Sequence, residues 1–116
     1  MSKYVEAAEQ AHKALAELVS ISPVGQKPEQ LAAAVDRIAD MASALRWTAD
    51  NLRRSSGNSK TLRNPHINQE TEEFLEAVQT RLTTCIERGR SAARAWSGVR
   101  DHLYDFAAAC PPHFRL

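Results

Sequence analysis

From Leu75 to Cys110 the apolar and small residues of this chain recur every three or four positions without a miss. Leu75, Val78, Leu82, Cys85, Gly89, Ala92, Trp96, Val99, Leu103, Phe106 and Cys110 all fall on one row, the spacing that lines one face of an α-helix. Pro111-Pro112 ends the pattern, because proline lacks the amide hydrogen that a helix interior needs. The spacing predicts one helix over about 70–109, ~60 Å long at 1.5 Å per residue. Glu70, Glu72 and Glu73 crowd its first turn, where the positive end of the helix dipole favours acids. Gly89 and Gly98 each cost roughly 1 kcal/mol against alanine, so a kink would fall at one of them. A face this long cannot be buried by the helix that carries it, so other helices must cover it.

Two further segments keep the same spacing. Ser2 is a suitable N-cap for a helix to about residue 19, with Tyr4, Ala8, Ala11, Leu15 and Leu18 on its apolar row. Pro23 and Gly25 supply the turn that follows. Pro28 then sits where a first-turn proline belongs. It opens a helix to about Arg54 with the row Leu31, Val35, Ile38, Ala42, Leu45, Ala49 and Leu52. A loop over about 55–68 and a tail over 111–116 complete a single 116-residue domain.

The fold class expected is therefore all-α, with the second and third helices in a long antiparallel hairpin and a shorter first helix. Coiled-coil-like heptads run through it. Ala32, Ala34, Ala39 and Met41 flank the second row, and Phe74, Ile86, Ala93, Ala95, Ala107 and Ala109 flank the third. Faces that broad touch more than one neighbour, which is bundle packing. Cys85, Gly89 and Ala92 form a small-residue waist that lets a facing helix come close. The first helix either continues in series along the third or folds back against the second. Both arrangements leave apolar surface uncovered in one chain, and such surface marks an interface. Dimerisation is the expected remedy, with a heterologous helical partner as the other.

Composition closes off several classes. Hydrophobic residues are 43 % and charged residues 25 %, a balance that argues against general disorder. No apolar run approaches the ~18 residues of a membrane helix. Lys3, Glu6, Glu9, Lys13 and Glu17 interrupt the start of the chain, unlike a secretory signal, so a cytoplasmic location is expected. Fifteen basic against fourteen acidic side chains leave +1, which gives no global pull toward nucleic acid or membrane.

The residues that carry chemistry form no catalytic pattern. His12, His66, His102 and His113 stand beside no nucleophile, and G-x-S-x-G, a glycine-rich phosphate loop and H-E-x-x-H are all missing. Asp101, His102 and Asp105 read as solvated charges. HEPN-type ribonucleases use an arginine and a histidine four to six residues apart, and Arg100-Asp101-His102 and Arg63-Asn64-Pro65-His66 are both too short. Cys110-Pro111-Pro112-His113 has the spacing of half a zinc site, but a structural site needs four ligands. On one helix Cys85 and Cys110 would stand ~37 Å apart, too far for a disulfide within the chain. Both read as buried seam thiols, with an intermolecular Cys110 bridge as the alternative. No cofactor and no metal is expected, and no enzymatic activity.

Local charge says more than net charge. Arg46, Arg53, Arg54, Lys60 and Arg63 against Asp50 give +4, and Arg81, Arg88, Arg90, Arg94 and Arg100 against Glu87 give another +4. In an antiparallel hairpin these make a basic strip, the electrostatic footprint of nucleic-acid binding. Trp47 falls opposite the apolar row of its helix, between Arg46 and Arg54, and Tyr104 falls off the row of the third. Tryptophan and arginine dominate interface hot spots. Trp47, Arg46, Arg54 and Tyr104 are therefore the expected partner-binding residues, and Arg53, Arg81, Arg88, Arg90 and Arg94 the candidates for nucleic-acid contact.

Trp96-Ser97-Gly98 resembles the W-x-G signature of the small helical-hairpin proteins exported by type VII secretion. In that family the motif lies in the turn between two helices, whereas here it lies inside the third helix. The family's C-terminal Y-x-x-x-D/E signal is missing too, because Tyr104 is followed four residues later by Ala108. A three-residue match in that context assigns no family. The expected function is a non-enzymatic helical protein-interaction module, an adaptor, regulator or assembly factor, with a nucleic-acid-binding accessory role as the alternative.

Overall fold

The computed structural model describes residues 2–56 and 69–110. It contains three helices, α1 (Lys3–Ser20), α2 (Pro28–Ser56) and α3 (Gln69–Ala109). Most of the expected loop, with Lys60, Arg63 and His66, and the tail with His113 lie outside the described residues.

Local chemistry sets the helix ends. The Ser2 Oγ accepts a hydrogen bond from the Val5 amide at 3.1 Å, satisfying one of the free donors of the first turn of α1. The turn after α1 closes through the Gln26 amide donating to the Pro23 carbonyl at 3.2 Å. Gly25 has φ +88°, the positive φ that a type II turn needs at its third residue. Pro28 starts α2, and the Gln30 side chain reaches back to accept from the Lys27 amide at 3.2 Å, half of a capping box. α3 runs through Gly89 and Gly98 as one helix.

α2 and α3 pair as an antiparallel hairpin, and three contacts fix the register. Asp36 binds Arg100 at 3.0 Å, Arg46 packs against Gly89, and the Ser56 Oγ accepts from Gln79 Nε2 at 3.1 Å. Each advance of about ten residues along α2 is matched by a similar retreat along α3. Ser56 is fully buried, and it also donates to the Arg53 carbonyl at 2.7 Å, so this polar side chain is satisfied where α2 ends.

The seam differs from the expected one. The side chains most completely buried are Ala32 (0 % exposed), Ala39, Ala49, Ser56, Leu75 and Ala107. In α3 the inward row is Leu75, Gln79, Leu82, Ile86, Gly89, Ala93, Arg100, Leu103 and Ala107, all buried or half-buried. Val78, Cys85, Trp96, Val99 and Phe106, expected on the seam, are exposed. In α2 the expected Leu31, Val35, Ile38, Ala42 and Ala49 are buried or half-buried, the row of Ala32 and Ala39 turns inward beside them, and Leu45 and Leu52 are exposed. The physical reason is distance. Methyl-sized side chains let two helix backbones approach, and the larger residues next to them are displaced to the sides.

α1 folds back beside α2 rather than continuing in series. Tyr4, Ala8, Ala11 and Leu15 face Leu45, Thr48 and Asn51 across an open cleft. The approach is loose, with no α-carbon of α1 within 8 Å of α2 or α3 and no buried residue in α1. The molecule measures 67 × 28 × 17 Å. Its radius of gyration is 19.5 Å, where a compact chain of this length would have ~13 Å.

Candidate functional site

The hairpin has two unlike flanks, and the register decides which residues share each. Ser43 and Arg46 of α2 line one open groove with Arg90, Arg94 and Ser97 of α3. On the other side of the seam lie the rows of Leu31, Ile38, Leu45 and Leu52 and of Val78, Cys85, Ala92, Val99 and Phe106. Residues seven apart return to the same face of a helix, so each row forms a continuous edge. One flank is thus arginine-rich and the other apolar.

On the arginine flank, Gly89 controls the geometry. A β-carbon there would stand 3.0 Å from the Arg46 Cβ and 3.3 Å from its Cα. Glycine is what allows the Arg46 backbone to cross α3 at this point. The Arg46 guanidinium then lies 4.2 Å from the centre of the Trp47 ring, a cation–π stacking distance. Trp47 is 54 % exposed and belongs to the outer face of α2, as its sequence position implies. The α1 cleft opens beside Leu45, Thr48 and Asn51, so α1 does not cover the indole.

Paired charges bound this groove. Asp50 takes Arg53 at 3.2 Å and Arg54 at 3.1 Å, and Arg54 also donates to Asn51 Oδ1 at 2.7 Å. At the other end the Arg100 Nε meets Asp101 at 3.0 Å and its Nη1 meets Asp36. These two carboxylates raise the Arg100 pKa further above the usual arginine value, Asp101 contributing more than Asp36. Between the ends, Arg46, Arg90 and Arg94 have no carboxylate within 4.0 Å among the described residues.

The structure therefore divides the predicted site residues. Arg46, Arg90 and Arg94 line one groove, and Trp47 stands beside it against Arg46. Arg53 and Arg54 lie beyond them and are ion-paired. Arg88 is two residues from Arg90 and so points to the opposite side of α3, with Arg81 seven residues before it on the same row. Tyr104 is exposed, two turns beyond Ser97 on its row. The basic strip expected from sequence is thus split between two flanks.

The apolar flank was not identified as a site from sequence, because its residues were assigned to the hairpin's own core. Leu45 is 64 %, Val99 46 % and Phe106 58 % exposed. Cys85 lies in this row as a free, exposed thiol, not the buried one expected. The cleft between α1 and α2, about 500 Å³, is lined mostly by apolar side chains and adjoins this flank at Leu45. Seven-residue recurrence of alanine, as at 32 and 39, is too common in helices to have singled out the true seam.

His102 is exposed, with its Nδ1 2.8 Å from the Gly98 carbonyl, so it stays on the surface of its own helix. Among the described residues no group of His, Cys, Asp and Glu is arranged to hold a metal ion, and no helix is long and apolar enough to cross a membrane. Comparison with family models, curated proteins and solved structures finds no match to this chain.

Proposed function

We propose that this chain is a non-enzymatic helical protein-interaction module that works by covering its apolar flank with another helical surface, first of all that of a second copy. The observation that carries this reading is the accessible surface. The chain exposes 9002 Å², whereas a compact monomer of 12.9 kDa exposes about 6,300 Å². The difference, roughly 2,700 Å² per chain, is about 5,400 Å² for two copies, at the upper end of what obligate partners bury between them.

Energetics support the same reading. The alanines of α2 bury about one methyl group each, a contribution of about 0.8 kcal/mol, and Leu75, Leu82, Ile86 and Leu103 are the larger apolar side chains of the seam. Leu45, Leu52, Val78, Val99 and Phe106 are 36 to 64 % exposed, so each would add roughly half of the ~1.5–3 kcal/mol that full burial of such a side chain contributes. The hairpin thus leaves much of its available hydrophobic stabilisation unused until a partner arrives. Two hairpins meeting through these flanks form a four-helix arrangement, with α1 at the edge.

Introducing a charge at the centre of the flank tests the proposal. Leu45→Glu and Val99→Glu should leave the hairpin helical by circular dichroism, since both side chains are already exposed. Each should weaken self-association by about 2 kcal/mol or more, as at interface hot spots. Undiminished association of both variants, measured by light scattering, would contradict it.

A further inference from the structure

The arginine flank offers a second surface of different chemistry. Arg46, Arg90 and Arg94 converge from two helices on one open groove of about 690 Å³, which Ser43, Ser97 and, at its edge, the Arg100-paired Asp101 also line. Three features separate this cluster from ordinary solvated arginines. None of the three has a carboxylate partner among the described residues. Arg46 is held in place, its stem against Gly89 and its guanidinium 4.2 Å from the Trp47 ring centre. The indole also leaves an exposed apolar face next to the charge.

From this arrangement we infer that the groove between α2 and α3 binds an acidic segment of a protein partner. Carboxylates would lie on Arg46, Arg90 and Arg94, and an apolar side chain on Trp47. Charge complementarity sets the sign of the ligand, since guanidinium groups pair with carboxylates through parallel N–H···O bonds. The extent of the patch sets its size. Asp50 pairs with both Arg53 and Arg54 at one end, leaving one positive charge there, and Asp36 and Asp101 both pair with Arg100 at the other. The arginines of this flank that lack a carboxylate partner among the described residues are therefore those in its middle, and Arg81 and Arg88 lie on the opposite flank. A nucleic-acid strand needs a basic track along its backbone, whereas a short acidic peptide needs only this patch. Tryptophan and arginine are both enriched at the hot spots where proteins meet proteins.

This inference rests on the reading of the chain as an interaction module, but it concerns the flank that self-association does not use. Fluorescein-labelled octaglutamate provides the probe, titrated with the full chain at low ionic strength and followed by anisotropy. Arg46→Glu and Arg90→Glu should each weaken binding about tenfold or more, and Arg81→Glu should change it less than about twofold. Trp47 emission, observed in a Trp96→Phe background, should change as peptide is added. Absence of binding up to about 1 mM peptide, the weak limit of specific association, would overturn the inference. So would equal losses from all three charge reversals. Tighter binding of a single-stranded oligonucleotide, weakened by the same two groove variants, would assign the groove to nucleic acid instead. Peptide binding that fails while the wild-type chain still self-associates overturns the groove assignment alone.

Discussion

Gly89 and Arg46 mark a close backbone approach between the two long helices: a β-carbon on Gly89 would lie 3.3 Å from the Arg46 Cα. A larger residue there cannot be accommodated by turning a flexible side-chain end aside, because backbone lies in the way. Gly89→Leu should destabilise the hairpin by about 1–3 kcal/mol, the usual cost of overpacking. Urea denaturation measures this, and an unchanged midpoint would mean the helices separate there freely.

Gly98 provides the contrasting case in the same helix. A β-carbon at this position meets nothing within 4 Å, so only the helical preference of the backbone remains. Gly98→Ala should stabilise by about 0.8–1.0 kcal/mol. Thermal melting would show it, and a loss of stability would contradict the open environment.

These two glycines also show how far the sequence could be read. Three helices, their antiparallel pairing and the outward position of Trp47 follow from spacing and breakers that are local in the chain. The seam does not, because two rows fit a three-four repeat almost equally well. Leu75, Leu82, Gly89 and Leu103 belong to both, and the choice lies between Val78, Cys85, Val99 and Phe106 and their neighbours Gln79, Ile86, Arg100 and Ala107. Hydrophobicity favours the first set, but Ser56 and Asp36 of α2 hold Gln79 and Arg100 of the second set inward. The grouping of Arg46 with Arg90 and Arg94 was likewise hidden, since it depends on register between segments more than forty residues apart in sequence. The pairing of Arg53 and Arg54 with Asp50 was legible, being three and four residues apart on one helix.

Trp47→Ala should change stability by less than about 1 kcal/mol, because the ring is exposed and loses only a surface cation–π contact with Arg46. Trp47 emission in a Trp96→Phe background should be red-shifted and easily quenched by iodide. A blue-shifted, protected emission would show that another element covers the indole.

α1 should open more readily than the hairpin. With no buried residue, it has little to hold its amides closed, and poorly packed elements exchange at the low end of local stability. Hydrogen exchange should be fast across Lys3–Ser20 and slow around Ala39–Ala49 and Ile86–Ala93. Equal protection of all three helices would show α1 to be firmly packed.

The account stands on the claim that a second copy covers the apolar flank formed by Leu45, Val78, Val99 and Phe106. Sedimentation equilibrium of the full chain at micromolar concentration tests this most directly. A species of about twice 12.9 kDa, dissociating on dilution or in the Val99→Glu variant, is the predicted result. A monomer throughout that range would contradict it.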